Sequence, residues 1–153
     1  MIPKRLTAML IACCSLFLYA QAISAHPAAS SSTSDTALKP VQVFDVAAGK
    51  VTKTVVNDPS IQEQASAWIG SVTGLAPQIS NDESCSYVFR VPLEKEATIK
   101  HNDISVTSDD LFLFYCKDKP PLLLMFDHKR RPYLFLFNAD IKPFIQKMGV
   151  NAS

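Results

Sequence analysis

Three apolar runs in the second half of the chain form its most regular hydrophobic pattern. They cover residues 111–116, 122–126 and 133–137, and polar residues or prolines close each run. Each run has the length of an ordinary β-strand, whereas a buried helix would need a longer segment with fewer flanking prolines. Apolar residues fill consecutive positions in these runs, so we expect both faces of the strands to be covered.

Two segments at the start of the folded part predict an opening β-hairpin. Residues 41–46 alternate apolar and polar side chains over part of their length, and residues 51–56 are rich in β-branched side chains. Residues 48–50 between them are typical of a turn.

A helix is predicted to begin at Asp58 and Pro59, because aspartate caps free backbone N–H groups and proline fits the first helical position. Apolar side chains then recur on one helical face, and this stripe consists of Ile61, Ala65, Trp68, Ile69 and Val72. We expect Gly74 to end the helix as its C-cap. Trp68, the only tryptophan, is expected to anchor the core instead of serving as a ligand platform.

The remaining segments predict further strands and a last helix. Residues 86–91 form a strand that Pro92 is expected to stop, and residues 97–100 and 104–106 flank a turn or strand interruption. Residues 138–140 can cap a C-terminal helix, whose apolar side is formed by Ile141, Phe144, Ile145 and Met148.

The resulting element order, β-β-α-β-β-β-β-β-α, predicts an α+β fold. We expect one domain over residues 41–150, built on a mostly antiparallel sheet of six to seven strands. One helix would pack on a face of this sheet, and a second helix would follow at the C-terminus. The other face of the sheet would be covered either by that C-terminal helix or by a partner.

The first 25 residues are typical of a secretory signal peptide. Two basic residues precede an apolar stretch over residues 6–19, and small residues follow around Ala22 and Ala25, where cleavage is expected. Residues 26–40 are rich in serine, threonine and alanine, and we interpret them as a disordered tether.

Two alternatives to cleavage stay open. Residues 10–13 resemble a bacterial lipobox, in which Cys13 would be lipidated and become the new N-terminus. If residues 6–25 are retained instead, they are about long enough to span a bilayer. The protein would then be anchored to a membrane, whereas cleavage predicts a secreted or extracytoplasmic cell-envelope protein.

Composition and charge exclude several functions. The chain has 15 basic and 14 acidic side chains, and removal of the two basic residues in the signal leaves 13 against 14. This balance argues against nucleic-acid binding, which needs a basic face to neutralise phosphates. The four glycines leave little material for phosphate-binding loops, and no spacing matches a metal motif, so we expect no cofactor.

Two cysteines follow the signal, Cys85 and Cys116, and an oxidising compartment would allow them to pair. Cys85 begins one predicted strand and Cys116 ends another, so the two meet only if those strands are antiparallel neighbours. In a simple meander, with residues 97–106 between them, they would lie at opposite ends. A disulfide and two separate buried thiols are therefore both open.

Two polar segments are candidate sites. Residues 101–103, with His101 and Asp103, and residues 108–110, with Ser108 and Asp109, could offer a nucleophile, a base and an orienting carboxylate. No nucleophile motif accompanies them, and exposed polar loops are the simpler interpretation. The densest charge cluster lies at a predicted hairpin tip and consists of His128, Lys129, Arg130 and Arg131. This tip could contact an anionic lipid or cell-wall polymer, or it could be solvated and keep the flanking strands from pairing with other chains.

Short motifs at caps, turns and core strands are spread over most of the mature chain, at residues 43–45, 57–62, 68, 73–75, 91–93, 121–126 and 131–132. Together they resemble a family of small uncharacterised exported proteins of Bacillus-type bacteria. The resemblance implies a Gram-positive cell-envelope or secreted setting. It carries over no catalytic or binding residue.

Three functional hypotheses follow. The first is an exported, non-enzymatic protein that acts by binding an unidentified protein or cell-envelope partner. The second is a small extracellular hydrolase, which a pocket gathering His101, Asp103 and Asp109 would favour. The third is an inhibitor or protective partner of a secreted enzyme, which a long exposed apolar patch would favour.

Overall fold

The computed structural model describes residues 38–77, 85–116 and 118–150. The predicted signal peptide and most of the predicted tether lie outside these ranges. Along the chain the structure contains β1 (Val41–Asp45), β2 (Lys50–Val55), α1 (Pro59–Gly70), β3 (Val72–Leu75), β4 (Cys85–His101), β5 (Ile104–Cys116), β6 (Leu122–Phe126), β7 (Pro132–Phe137) and α2 (Lys142–Met148).

The seven strands form one sheet in the order β2-β1-β4-β5-β6-β7-β3. Every neighbouring pair in this sheet is antiparallel. The predicted α+β class, the antiparallel sheet and the two helices are therefore confirmed.

The longest hairpin corrects one expectation. Pro92 does not stop a strand, because β4 continues through it to His101 with a register shift between Pro92 and Ala97. Side chains near the start of α1 bond the backbone around this irregularity: Asn57 Nδ2 and Gln62 Nε2 both donate to the Pro92 carbonyl, at 2.7 and 3.0 Å. Gln62 Oε1 also accepts from the Glu94 N–H. The two short segments flanking residue 102 are thus the outer halves of two long strands.

Helix α1 begins as predicted and ends earlier than predicted. Asp58 caps it by accepting a hydrogen bond from the Ile61 N–H, and Pro59 occupies the first turn. Its C-cap is Ser71 and not Gly74, which lies in edge strand β3. Val72 leaves the helical stripe because it pairs with Phe137 in β7. The gain from sheet pairing thus overrides the helical periodicity.

Both helices pack on the same face of the sheet. Trp68 of α1 and Phe89 of β4 each meet Phe144 of α2 edge-on, with ring centroids 4.9 and 5.2 Å apart, and all three side chains are fully buried. The expected role of Trp68 as a core anchor is confirmed. The alternative in which α2 covers the second face of the sheet is wrong.

Candidate functional site

The second face of the sheet carries a continuous apolar surface. In the register of β5, β6 and β7, Leu113, Leu123 and Phe135 lie side by side in the core. Their sequence neighbours therefore project from the opposite side, where no helix among the described residues packs. We call this surface the open face, and it consists of Phe44, Val51, Val88, Phe112, Phe114, Leu122, Leu124, Phe126, Leu134 and Leu136.

Strand pairing lines up these side chains in rows across the sheet. One row passes from Phe44 through Val88 and Phe114 to Leu122. The six strands that contribute to the open face span about 24 Å at the usual strand spacing. Most of the side chains are half-buried, and Val51 and Phe126 are 46% and 36% exposed. Such a surface loses unfavourable contact with water when another apolar surface covers it.

One polar cluster interrupts the open face. Arg90 forms a bidentate ion pair with Asp110, with Nε–Oδ1 and Nη2–Oδ2 distances of 3.0 and 2.6 Å, and its Nη1 donates to Gln42 Oε1 at 3.3 Å. The hydrogen bonds to Asp110 raise the pKa of the Arg90 guanidinium above its ordinary value. Because the two charges neutralise each other, a partner that covers this cluster needs no charged group opposite it.

A shallow depression of about 330 Å³ lies on the open face. Its lining is mostly apolar and consists of Gln42, Phe44, Val51, Val88, Arg90 and Phe112. Phe112 also meets Phe126 edge-on, with ring centroids 5.6 Å apart, which extends the aromatic surface toward the β6–β7 turn. This chemistry suits binding by desolvation and shape.

Cys85 and Cys116 form a disulfide. They face each other in the β4–β5 register, because these strands are antiparallel neighbours. Pairing required the strands of Cys85 and Cys116 to be antiparallel neighbours, and they are. The simple meander that would have separated the cysteines is wrong. The link closes the end of the hairpin opposite its turn.

The charge cluster lies at the β6–β7 turn, as predicted. The carboxylate of Asp127 organises the turn by accepting hydrogen bonds from the Lys129 and Arg131 N–H groups and from Arg131 Nε. These hydrogen bonds lower the pKa of Asp127. His128 and Arg130 line a groove of about 450 Å³ that Phe112 and Phe126 of the open face also border. The basic tip therefore adjoins one end of the open face.

The three residues of the hypothetical hydrolase site are not brought together. His101 ends β4 and Asp103 lies in the turn that follows, whereas Asp109 lies five residues along β5 from Ile104, which is about 17 Å of extended strand. His101 instead lies beside Gly74, where the β-carbon of a substituted alanine would be 3.6 Å from its Nε2. Within residues 38–77, 85–116 and 118–150, no group of three His, Cys, Asp or Glu side chains could hold a metal ion.

The predicted routes to a membrane lie outside the described residues, since Cys13 and residues 6–25 both precede position 38. Among the helices of the described part, none is long and apolar enough to cross a bilayer.

Comparison with known proteins found no family model, no curated protein and no solved structure that matches this chain. The candidate site consequently rests on the geometry of the chain itself. Sequence reasoning did not single out the open face, although the continuous apolar runs of β5, β6 and β7 carried its signal. The runs indicated apolar side chains on both faces, but not which face the helices would leave uncovered.

Proposed function

We propose that this is an exported, non-enzymatic protein that acts at the cell envelope or outside the cell by binding a partner through the open face. The observation that carries the proposal is the run of apolar side chains across six strands, with no helix of the described residues packed over it. Isolated exposed apolar residues are common on proteins, whereas a contiguous apolar surface marks an interaction site.

The composition of the open face supports binding to protein. Four of its ten side chains are phenylalanines, and the others are leucine or valine. Interface centres are enriched in aromatic residues and depleted of charged ones. The single ion pair at Arg90 and Asp110 is satisfied within the chain, so covering it leaves no charge without a partner.

Export is supported by the signal-like N-terminus and by the disulfide. Disulfides persist in oxidising compartments and are rare in the cytosol of most organisms. The resemblance to exported proteins of Bacillus-type bacteria points to a Gram-positive setting. Cleavage after Ala22 or Ala25 is the route we favour, and lipidation at Cys13 or retention of residues 6–25 would leave the protein on the membrane.

A photo-crosslinking amino acid placed at Leu124 tests the binding function in producing cells. Leu124 lies within the open face, and the matched control position is Val56, which is 77% exposed and lies between β2 and α1. We expect a discrete crosslinked product from position 124 and none from position 56, in the medium or membrane fraction. Equal labelling from both positions would contradict the proposal.

The same fractions test export by intact mass. A mass that begins at Ile23 or His26, recovered from the medium, would establish a cleaved and secreted chain. A lipid-bearing or full-length mass in the membrane fraction would establish anchoring instead. Recovery of the full-length chain only from the cytosol would refute export.

An inhibitor or protective partner of a secreted enzyme is the second candidate. The long apolar surface favours it, because such a surface can be covered by a complementary one on another protein. The mass of the crosslinked product from position 124 separates the candidates, since a captured enzyme would add its own mass to that of the chain.

A further inference from the structure

The edges of the sheet are poorly suited to association. At one edge, β2 carries Lys50 and Lys53, and charged side chains on an edge strand discourage pairing with another chain. At the other edge, β3 is only four residues long and its pairing with β7 is interrupted by a register shift at Gly74. Association through added strands is therefore disfavoured at both ends, which leaves the open face as the larger contact surface.

We propose that the open face is covered by the open face of a second copy of this chain. This inference rests on the proposed function and names the partner. The dimer would have two-fold symmetry and four layers, with the two sheets in the middle and the helices outside. Two-fold dimers are the most common protein oligomers, and each copy presents the same patch to the other.

Charge complementarity favours this partner. A covering surface must be apolar over nearly the whole open face, and it needs no charge opposite Arg90 and Asp110 because they pair with each other at 2.6 Å. A second copy meets both requirements, since it presents the same apolar residues and the same self-neutralised pair. Homodimer interfaces are also more apolar than those between proteins that exchange partners.

The dimensions of the open face approach those of a small dimer interface. The surface covers six strands, or about 24 Å, and three same-side positions along β6, or about 17 Å with their side chains. The projected area is therefore about 400 Å² for each copy, or about 800 Å² for the two copies together. Protruding side chains raise the buried total above this projection, toward the lower limit of about 1,200 Å² for stable interfaces. Two twisted sheets pack about 10 Å apart with their strands about 30° from parallel.

The composition of the predicted tether makes it a weaker candidate for this cover than a second copy. Once a signal peptide is removed, the segment that precedes the described residues begins near His26 and is dominated by serine, threonine and alanine. Short polar side chains gain little from contact with phenylalanine and leucine. A second copy is therefore a better occupant of the open face than the chain's own N-terminal segment.

Sedimentation equilibrium over a wide range of concentrations tests the proposal on the protein isolated from producing cells. We expect the wild type to sediment with twice the mass of the chain. Leu124→Glu should raise the dissociation constant of the dimer at least about 100-fold, because the two-fold symmetry places the glutamate charge in the interface twice. Val56→Glu, which adds the same charge at a position 77% exposed, should leave the dimer intact.

Circular dichroism and retention of the disulfide show whether each variant is folded. If Leu124→Glu fails to fold, Phe126→Glu replaces it, because the Phe126 side chain is already 36% exposed and tolerates a polar group. A wild type that stays monomeric at the highest concentration would overturn the proposal, as would a folded Leu124→Glu or Phe126→Glu variant that still dimerises.

Sedimentation and crosslinking together distinguish the absence of a dimer from the absence of binding through the open face. A monomeric protein that still gives a discrete crosslinked product from position 124 would bind another molecule, so only the second copy would be refuted. A monomeric protein without such a product would refute both. A product with twice the chain mass supports both.

Discussion

Replacing Cys85 and Cys116 with alanine would remove the covalent link between the ends of β4 and β5. The two residues are separated by 31 positions in the sequence. Closing a loop of that length in the unfolded chain is worth about 4 kcal/mol on the chain-entropy model. Since domains of this size have unfolding free energies of about 5–15 kcal/mol, the double variant should lose a large part of its stability.

Urea unfolding measures this loss directly. Trp68 is the only tryptophan and is fully buried, so its fluorescence reports loss of the core. With a denaturant slope of about 1.3 kcal/mol per M, the expected loss corresponds to a midpoint about 3 M lower than that of the wild type. Reductant should move the wild type most of the way to the double variant, because reduced thiols keep their packing and lose only the link.

The double variant in the presence of reductant is the control, and its midpoint should not change. Cys85 and Cys116 are both buried, so part of the loss in the alanine variant will come from packing. The difference between reduced wild type and oxidised wild type isolates the link itself. If that difference is less than about 0.5 M, the link constrains the unfolded chain far less than the sequence separation implies.

Three further changes test the core, the strand irregularity and the helix cap. Phe144→Ala should lower the unfolding free energy by about 3–5 kcal/mol, measured by urea unfolding, because it leaves a cavity where the two helices meet the sheet. Asn57→Leu should lower it by about 1–3 kcal/mol, because it removes the amide that donates to the Pro92 and Lys39 carbonyls. Asp58, whose pKa is lowered to about 2 by hydrogen bonds from Lys147 and Ser60, should stabilise the fold above about pH 4, and this contribution should fade as the pH falls toward 2. Asp58→Asn should flatten stability over that pH range in acid titrations, and an unchanged pH profile would refute the assignment.

The strands and helices could largely be predicted because their signals are local. Apolar runs, the cap at Asp58 and the stripe through Trp68 are all carried by neighbouring residues in the sequence. The full length of β4 could not be predicted, because the partners that accommodate Pro92 are the side chains of Asn57 and Gln62, some 30 positions earlier. Local sequence contains no trace of such a contact.

The end of α1 could not be predicted from local sequence either. Val72 continues the helical stripe by spacing alone, yet it pairs with Phe137 at the far end of the chain. A sequence pattern records the period of the apolar residues but not the competing strand. Pairing of Cys85 with Cys116 could not be predicted for a related reason, because it depends on which strands are neighbours.

The candidate site was partly visible in the sequence. Consecutive apolar residues in β5, β6 and β7 predicted that both faces of the sheet need cover. Which face the helices occupy depends on contacts between distant residues, such as Trp68 and Phe144. The polar segments that stood out in the sequence, at His101 and His128, proved to lie at hairpin ends.

Hydroxyl-radical labelling of side chains tests most directly whether the open face is covered in the working protein. Phe114 lies in the open face and is half-buried in the single chain, whereas Phe144 is fully buried and serves as the internal reference. We expect Phe114 in the wild type to be labelled nearly as slowly as Phe144, and several times faster in folded Leu124→Glu. Rapid and equal labelling of Phe114 in both proteins would show an open face exposed to water and would contradict the account.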